Sequence, residues 1–287
     1  MSLNQRLGPK DWAGLRVWIL GASGGIGTAL SVALAKRGAV LAISGRRAEA
    51  LTETAAECLS VGASRPALQL PLDINDTHAV ATALASIQAQ MGGIDLIVIN
   101  AGTYQATRAN ELNPESINSV IETNLLSPMR ITSVVLPALV SQMPATNAPR
   151  GIAFVSSVAG YRGLPRSLTY GPGKAALISF AESLWQDLNP LGLNVWLINP
   201  GFVRSRLTDK NDFQMPALID ADTAAEEIIK GLAAGQFEIH FPKRFTRFMK
   251  LLRLLPISWY LRLSQRLVPP LSRTDFASPK TDEGSLK

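Results

Sequence analysis

The sequence predicts an α/β fold: a doubly wound parallel sheet of about seven strands in a single domain, with an amphipathic helical extension at the C-terminal end. Three observations predict it. Short β-branched runs alternate with longer helical patterns, the runs are apolar at consecutive positions, and a glycine-rich turn joins the first run to the first helix.

In order, the strands are expected at 15–20, 39–44, 67–72, 94–100, 151–156, 193–199 and 237–241, where segments such as "LRVWIL" and "IDLIVIN" are apolar without alternation. That is the pattern of strands covered on both faces. Helical periodicity is expected near 25–37, 47–60, 76–91, 114–143, 170–188 and 222–234. There is no internal repeat.

A chain of 287 residues that is 47% hydrophobic can bury a substantial core. Its single cysteine, Cys58, cannot close an intrachain disulfide, which excludes a disulfide scaffold. Cys58 is expected to pack inside a helix. The first residues lack the charged and apolar regions of a signal peptide, and no window approaches the ~20 apolar residues of a spanning helix. A cytoplasmic protein is the expectation. His78 and His240 stand far apart, so no metal site is expected.

The charge is uneven. From residue 241 onward ten lysines and arginines face three acids, a balance of +7 in a chain whose total is +6. The body is therefore close to neutral, and a basic stripe for nucleic acid is not indicated.

The turn after the first strand reads "GASGGIG", residues 21–27. Glycines there permit a tight turn and close approach of a pyrophosphate, which the N–H groups of the following helix can bind. Gly21, Gly25 and Gly27 fit one spacing and Gly21, Gly24 and Gly27 another, so the subtype of dinucleotide fold stays open. The second strand ends in Ser44, followed by Gly45, Arg46 and Arg47, with no acid before Glu49. An Asp or Glu at this place would bond a ribose 2′-hydroxyl, whereas a guanidinium suits a 2′-phosphate. Arg46, with Ser44, therefore points to NADP(H), and Arg47 is the weaker candidate.

"GASGGIG", "LDI" at 72–74, "NAG" at 100–102, Asn124 in "IETNLLSP", "VSSVAG" at 155–160, "YGPGK" at 170–174 and "NPGFVRS" at 199–205 together resemble the short-chain dehydrogenase/reductase family, in order over roughly 14–240. The resemblance implies a Rossmann-type fold and a catalytic tetrad of Ser157, Tyr170, Lys174 and Asn124. It also implies a cofactor site made by Gly21, Ser23, Gly25, Ile26 and Gly27, with Ser44 and Arg46 at the 2′ position and Asp73 and Ile74 beside the adenine. Asn100, Ala101 and Gly102 would lie along the cofactor, Tyr170 and Lys174 at its ribose, and Pro200, Gly201 and Val203 against the nicotinamide. A homodimer or homotetramer is implied as well. The organisation expected is an arm over 1–13, a dinucleotide-binding catalytic domain over 14–240, a basic amphipathic extension over 241–270 and a disordered tail over 271–287.

The chemistry accounts for these residue types. Carbonyl reduction leaves negative charge on oxygen, and a phenol can supply the proton if its pKa falls from about 10. An ammonium at 4 Å attracts a phenolate by about 4 kcal/mol at an effective dielectric of 20, so Lys174 is expected to lower the pKa of Tyr170. Ser157 would bond the substrate oxygen, and Asn124 would place water for reprotonation through Lys174. "VSSVAG" is not a hydrolase elbow, so Ser156 is no nucleophile.

"YGPGK" sets two poor helix formers between the reactive pair. If Tyr170 lies in the first helical turn, Pro172 forfeits an N–H that has no intrahelical partner, and the cost is small. Gly173 is expected to leave space beside cofactor and substrate. The substrate side is expected to draw on Tyr161, Leu164, Phe202, Leu207, Phe213, Met215, Leu218 and Ile219, an apolar set suited to a hydrophobic carbonyl or alcohol. Two alternatives stand beside an NADP(H) oxidoreductase: a nucleotide-binding sensor without turnover, and a sugar-nucleotide epimerase or dehydratase, which expects a longer C-terminal part.

In 241–268 a helical plot sets Phe245, Phe248, Met249, Leu252 and Leu255 on one side, with Lys243, Arg247, Lys250 and Arg253 on the other. Pro256 permits a new start, and Trp259 and Tyr260 favour an interface. Peripheral membrane contact is one reading; packing of the apolar side on the body or a second subunit is the other.

Overall fold

The computed structural model describes residues 12–142, 150–205, 208 and 215–276. Seven strands form one parallel sheet in the order β3-β2-β1-β4-β5-β6-β7. They are β1 (Arg16–Leu20), β2 (Val40–Gly45), β3 (Leu68–Pro71), β4 (Leu96–Ile99), β5 (Arg150–Val155), β6 (Leu193–Pro200) and β7 (Glu238–Phe241). The helices are α1 (Gly25–Ala35), α2 (Ala48–Ser60), α3 (Thr77–Met91), α4 (Pro114–Ile121), α5 (Ser127–Ser141), α6 (Tyr170–Leu188), α7 (Ala221–Ala233), α8 (Lys243–Arg253) and α9 (Ile257–Gln265).

Every residue of β1 and of β4 is buried, because helices cover the sheet on both faces. Alternate side chains of one strand accordingly enter different cores. Val17 and Ile19 pack with Leu30 and Leu34 of α1, Cys58 of α2 and Ile228 of α7. Trp18 and Leu20 pack with Val80 of α3, Val135 of α5 and Leu177 of α6. Burial pushes the Cys58 thiol up to about 11, in keeping with a packing residue.

Local signals start several helices where polar side chains can take up the first N–H groups. Asp76 caps α3 by accepting from His78 N and Ala79 N, Asn113 caps α4 ahead of Pro114, and Asp220 caps α7 through Thr223 N.

The helix expected over 114–143 is interrupted. Between α4 and α5 the segment Glu122–Leu126 is a π-helical turn, in which Ser127 N bonds Glu122 O. By length and apolarity Pro114–Ser141 is sufficient to cross a membrane, contrary to the sequence reading. Ile131, Val135 and Leu139 are nevertheless buried in the core against the sheet, and Val120 of α4 is buried as well, so much of this apolar face is already occupied.

The extension is α8 and α9, and its apolar residues are not used as the helical plot arranged them. Phe245, Met249 and Leu252 pack on the core below, while Phe248 is exposed. Lys250 and the exposed Arg253 both stand 5.9 Å from the centre of the Tyr161 ring, and the Lys250 ammonium also pairs with Glu238 at 2.5 Å. Of the tail, Arg273–Phe276 forms a 3-10 turn and 277–287 lie outside the described residues.

At the opposite end of the sheet from the glycine turn, Arg16 of β1 grips Asp95 beside β4. Nε and Nη2 donate at 2.8 and 2.7 Å and the Arg16 N–H adds a third bond at 3.0 Å, with Asp95 fully buried. Asp95→Ala is expected to cost about 3–5 kcal/mol, because it leaves a buried guanidinium without its counter-ion. Denaturant unfolding checks this; a loss below 1 kcal/mol would mean that water replaces the pair.

Candidate active site

The turn after β1 touches the turn after β4. Gly21 has φ 91°, and a Cβ there would stand 2.5 Å from Ala101 N, so glycine alone allows the approach. Asn100 clamps it, with Nδ2 donating to Gly21 O at 2.8 Å. Gly27 brings α1 against the same turn: a Cβ there would lie 2.0 Å from Gly21 O. Gly24 is the N-cap of α1 and supplies no side-chain acceptor, in contrast to the caps of α3, α4 and α7. The first N–H groups of α1 and this side-chain-free approach form a cradle that fits a pyrophosphate.

At the end of β2, Ser44 is buried and its hydroxyl accepts from Trp18 Nε1 at 2.9 Å. It faces the core rather than a 2′-phosphate, which corrects the expectation for this residue. Arg46 is exposed one residue beyond the strand, while Arg47 reaches back to Ser23 O in the glycine turn. Asp73 is exposed and accepts from Asn75 N at 3.0 Å; the Ile74 side chain is buried in the core.

Ser157 follows β5, Tyr170 and Lys174 lie on the first turns of α6, and Asn124 sits in the π-turn. All four line one cleft of ≈ 110 Å³, together with Ile26, Asn100, Gly102, Pro200, Gly201 and Val203. Ten sequence-predicted residues are thus brought together. Gly21, Ser23, Gly25, Gly27, Ala101, Arg46 and Asp73 are grouped at the neighbouring ends of β1, β2, β3 and β4.

Backbone carbonyls fix two of the four side chains, Lys174 and Asn124. Lys174 Nζ donates to Val155 O at 2.9 Å, and Asn124 Nδ2 donates to Thr103 O at 2.8 Å and Val120 O at 2.9 Å. Ser156, read only as a false nucleophile, donates to Lys174 O at 3.0 Å and braces that turn of α6. The helix starts at Tyr170 as expected, with Pro172 exposed in its first turn. Gly173 does not face the cleft. A Cβ there would be in ordinary contact with Ile121 at 3.5 Å and Asn124 at 3.7 Å, so Gly173 lies against the π-turn.

The electrostatics differ from the expectation. Burial pushes the Tyr170 phenol up to about 12, with the Ser157 hydrogen bond acting in the opposite direction. Burial also pulls the Lys174 ammonium down to about 7. Desolvation disfavours both charged forms, and Lys174 Nζ lies 5.6 Å from the Tyr170 ring centre. Lysine therefore does not lower the phenol in the protein alone.

Sequence reasoning missed Tyr104, whose ring meets Tyr170 edge-on at 5.0 Å, and Thr103, Ser205 and Thr208 in the cleft wall. Thr103 directly follows "NAG", and Ser205 closes "NPGFVRS", so position beside a motif was the available signal. Tyr161, expected at the substrate, is buried and donates to Glu238 Oε1 at 2.5 Å. Leu207 and Phe213 lie outside the described residues. Among the described residues, no three His, Cys, Asp or Glu side chains are grouped to hold a metal ion.

Sheet order, glycine cradle and tetrad together define a dinucleotide-dependent oxidoreductase. A family model described as short chain dehydrogenase matches residues 16–215, and the chain belongs to that family. An "uncharacterized oxidoreductase" of Myxococcus xanthus is 35% identical over 250 residues, covering 87% of this chain and 96% of that protein. Human 17-beta-hydroxysteroid dehydrogenase 13 is 27% identical over 250 residues, covering 86% and 81%. The crystal structure of levodione reductase shares the fold with a TM-score of 0.73 at 18% identity, covering 82% of this chain and 98% of that one. Members of the family use the nicotinamide cofactors NAD or NADP and act on small substrates.

Because Lys174 holds its proton less tightly in the fold than its ordinary value of 10.5, the unfolded chain carries more protons from about pH 7 to that value. Stability from this group therefore rises with pH across that window. Lys174→Met is expected to be more stable than the parent at and below neutral pH, with the gain shrinking as alkaline pH is approached. Thermal melts across the range check it; a gain independent of pH would show that Lys174 stays charged.

Proposed function

We propose that the protein is an NADP(H)-dependent oxidoreductase that interconverts a hydrophobic carbonyl compound and its alcohol, with Tyr170 as general acid/base. The observation that carries the reading is the convergence of Ser157, Tyr170, Lys174 and Asn124 on one cleft beside the glycine cradle. When bound, the nicotinamide supplies or accepts the hydride. Tyr170 gives its phenolic proton to the oxygen where negative charge develops, and Ser157 positions that oxygen through its hydroxyl. Lys174, near 7, can exchange a proton at neutral pH with little cost either way, which suits it to reload Tyr170. Asn124 holds the Thr103 carbonyl and sets the wall on which water for that exchange would rest.

NADP(H) is favoured by Arg46, exposed at the end of β2 where no carboxylate precedes Glu49. A hydrophobic substrate is supported by Tyr104 over Tyr170, by Phe202 beside the cleft wall at Gly201, and by a relative named as a hydroxysteroid dehydrogenase. The same reading carries a cytoplasmic homodimer or homotetramer.

Oxidation of NADPH and NADH with a panel of carbonyl compounds tests this. NADPH should be preferred, and Arg46→Ala should weaken NADPH about tenfold or more while sparing NADH, since a charge-assisted hydrogen bond is worth about 1.5–3 kcal/mol. Equal use of both cofactors by the parent protein would overturn the assignment. Tyr170→Phe should lower turnover by about 10²–10⁴-fold, the usual contribution of a positioned acid, and leave cofactor binding by fluorescence titration unchanged. A variant retaining most of the parent rate would exclude Tyr170 as the proton donor.

A further inference from the structure

The extension is docked on the body by a narrow set of contacts. Thr246 and Met249 of α8 and Tyr260 and Ser264 of α9 are the buried residues of the two helices. Tyr260 donates to Gly163 O at 2.6 Å, and the Arg162 guanidinium lies 4.2 Å from the centre of its ring. This docking uses the inward side only. On the outward side Phe248, Leu251, Leu254, Ile257, Trp259 and Leu267 are between 54% and 79% exposed. So many large apolar side chains in 20 successive residues exceed the scattered exposure of an ordinary surface.

The charges between these residues indicate what covers them. Arg244 and Arg247 of α8, Arg262 of α9 and Arg266 directly after it are exposed, and the sequence from 243 to 266 contains seven basic residues and no acid. A two-fold partner of the same chain would set this positive face against its own copy, opposing like charges in a desolvated contact. Residues 277–287 hold one large apolar side chain, Leu286, too few to match the exposed set. An interface of apolar side chains, an indole and arginines fits the headgroup region of an anionic bilayer, where the rings and leucines enter the acyl boundary and the guanidinium groups meet lipid phosphates.

We propose that the outward face of α8 and α9 is a docking surface for an anionic lipid bilayer. The docking helices remain folded on the body through Met249, Tyr260 and Arg162, and of the five apolar residues a helical plot selects only Phe248 belongs to the lipid-facing set. Removal of two exposed anchors by Leu254→Glu with Trp259→Glu leaves every docking contact in place.

Flotation of the full chain with phosphatidylcholine–phosphatidylglycerol vesicles, and with phosphatidylcholine alone, tests the proposal. The parent protein should float with the mixed vesicles at low salt, stay below with neutral ones, and bind less as salt is raised. The Leu254→Glu, Trp259→Glu variant should partition at least about tenfold more weakly, since each anchor contributes on the order of 1.5–3 kcal/mol when buried. Arg244→Gln with Arg247→Gln should weaken binding to the mixed vesicles by a similar factor, because each basic residue is worth about 1 kcal/mol near an anionic surface. Unchanged melting temperatures establish that both variants are folded. A parent protein that remains below with mixed vesicles overturns the proposal, as does one that binds neutral vesicles equally well. Light scattering that shows a dimer dissociated by the glutamate substitutions overturns it too, and assigns the face to a second copy.

Discussion

The contact between the turn after β1 and the turn after β4 is the constraint on which the site depends. The sheet is built outward from β1, which pairs with β2 on one side and β4 on the other. After β1 the chain leaves for the face carrying α1; after β4 it leaves for the face carrying α5. Departure in opposite directions from adjacent strands opens a crevice at the C-terminal edge of the sheet, the general location of ligands in such folds. Gly21 and Asn100 keep the two departures in contact, so the crevice has a closed floor. The cleft that holds Ser157, Tyr170, Lys174 and Asn124 continues from that floor.

Within the cleft, two of the four converging side chains, Lys174 and Asn124, are held by main-chain carbonyls. Val155 O, Thr103 O and Val120 O position Lys174 and Asn124, and these carbonyls belong to a strand, a loop and a helix that the core packing fixes. A carbonyl acceptor does not depend on the identity of its own side chain. The placement of Lys174 and Asn124 therefore follows from the backbone path. The π-turn carries Asn124, whose amide bridges the carbonyls of Thr103 and Val120.

The strands were legible because both faces of the sheet are buried, so "RVWIL" and "LIVI" stand out as continuous apolar runs. The tetrad was legible because its members sit in short local motifs. What sequence could not give depends on partners far along the chain. Tyr161 reads as a substrate-facing aromatic until Glu238, 77 residues away, accepts its hydroxyl. Ser44 reads as a cofactor ligand until Trp18 donates to it across the β1–β2 pair. Gly173 looks like space for a ligand, and its neighbours prove to be Ile121 and Asn124. The π-turn escaped because one extra residue in a turn changes the phase of a helical pattern without changing its composition. The rise of the Tyr170 phenol was not legible because residue types state which charges are near, while desolvation depends on how many atoms surround them.

Arg162 has a consequence beyond packing. Its guanidinium donates to the carbonyls of Leu252, Arg253 and Leu255, closing the C-terminal end of α8 from a loop ninety residues earlier in the chain. That loop, between Ser157 and Tyr170, joins two of the tetrad residues. An opening fluctuation that frees α8 would expose three carbonyls and leave Arg162 without its acceptors, and an excursion of the loop would do the same from the other side. The two segments thus share their polar contacts, the Tyr260 bond to Gly163 O included, so displacing the terminal helices withdraws hydrogen bonds from the loop that joins Ser157 to Tyr170.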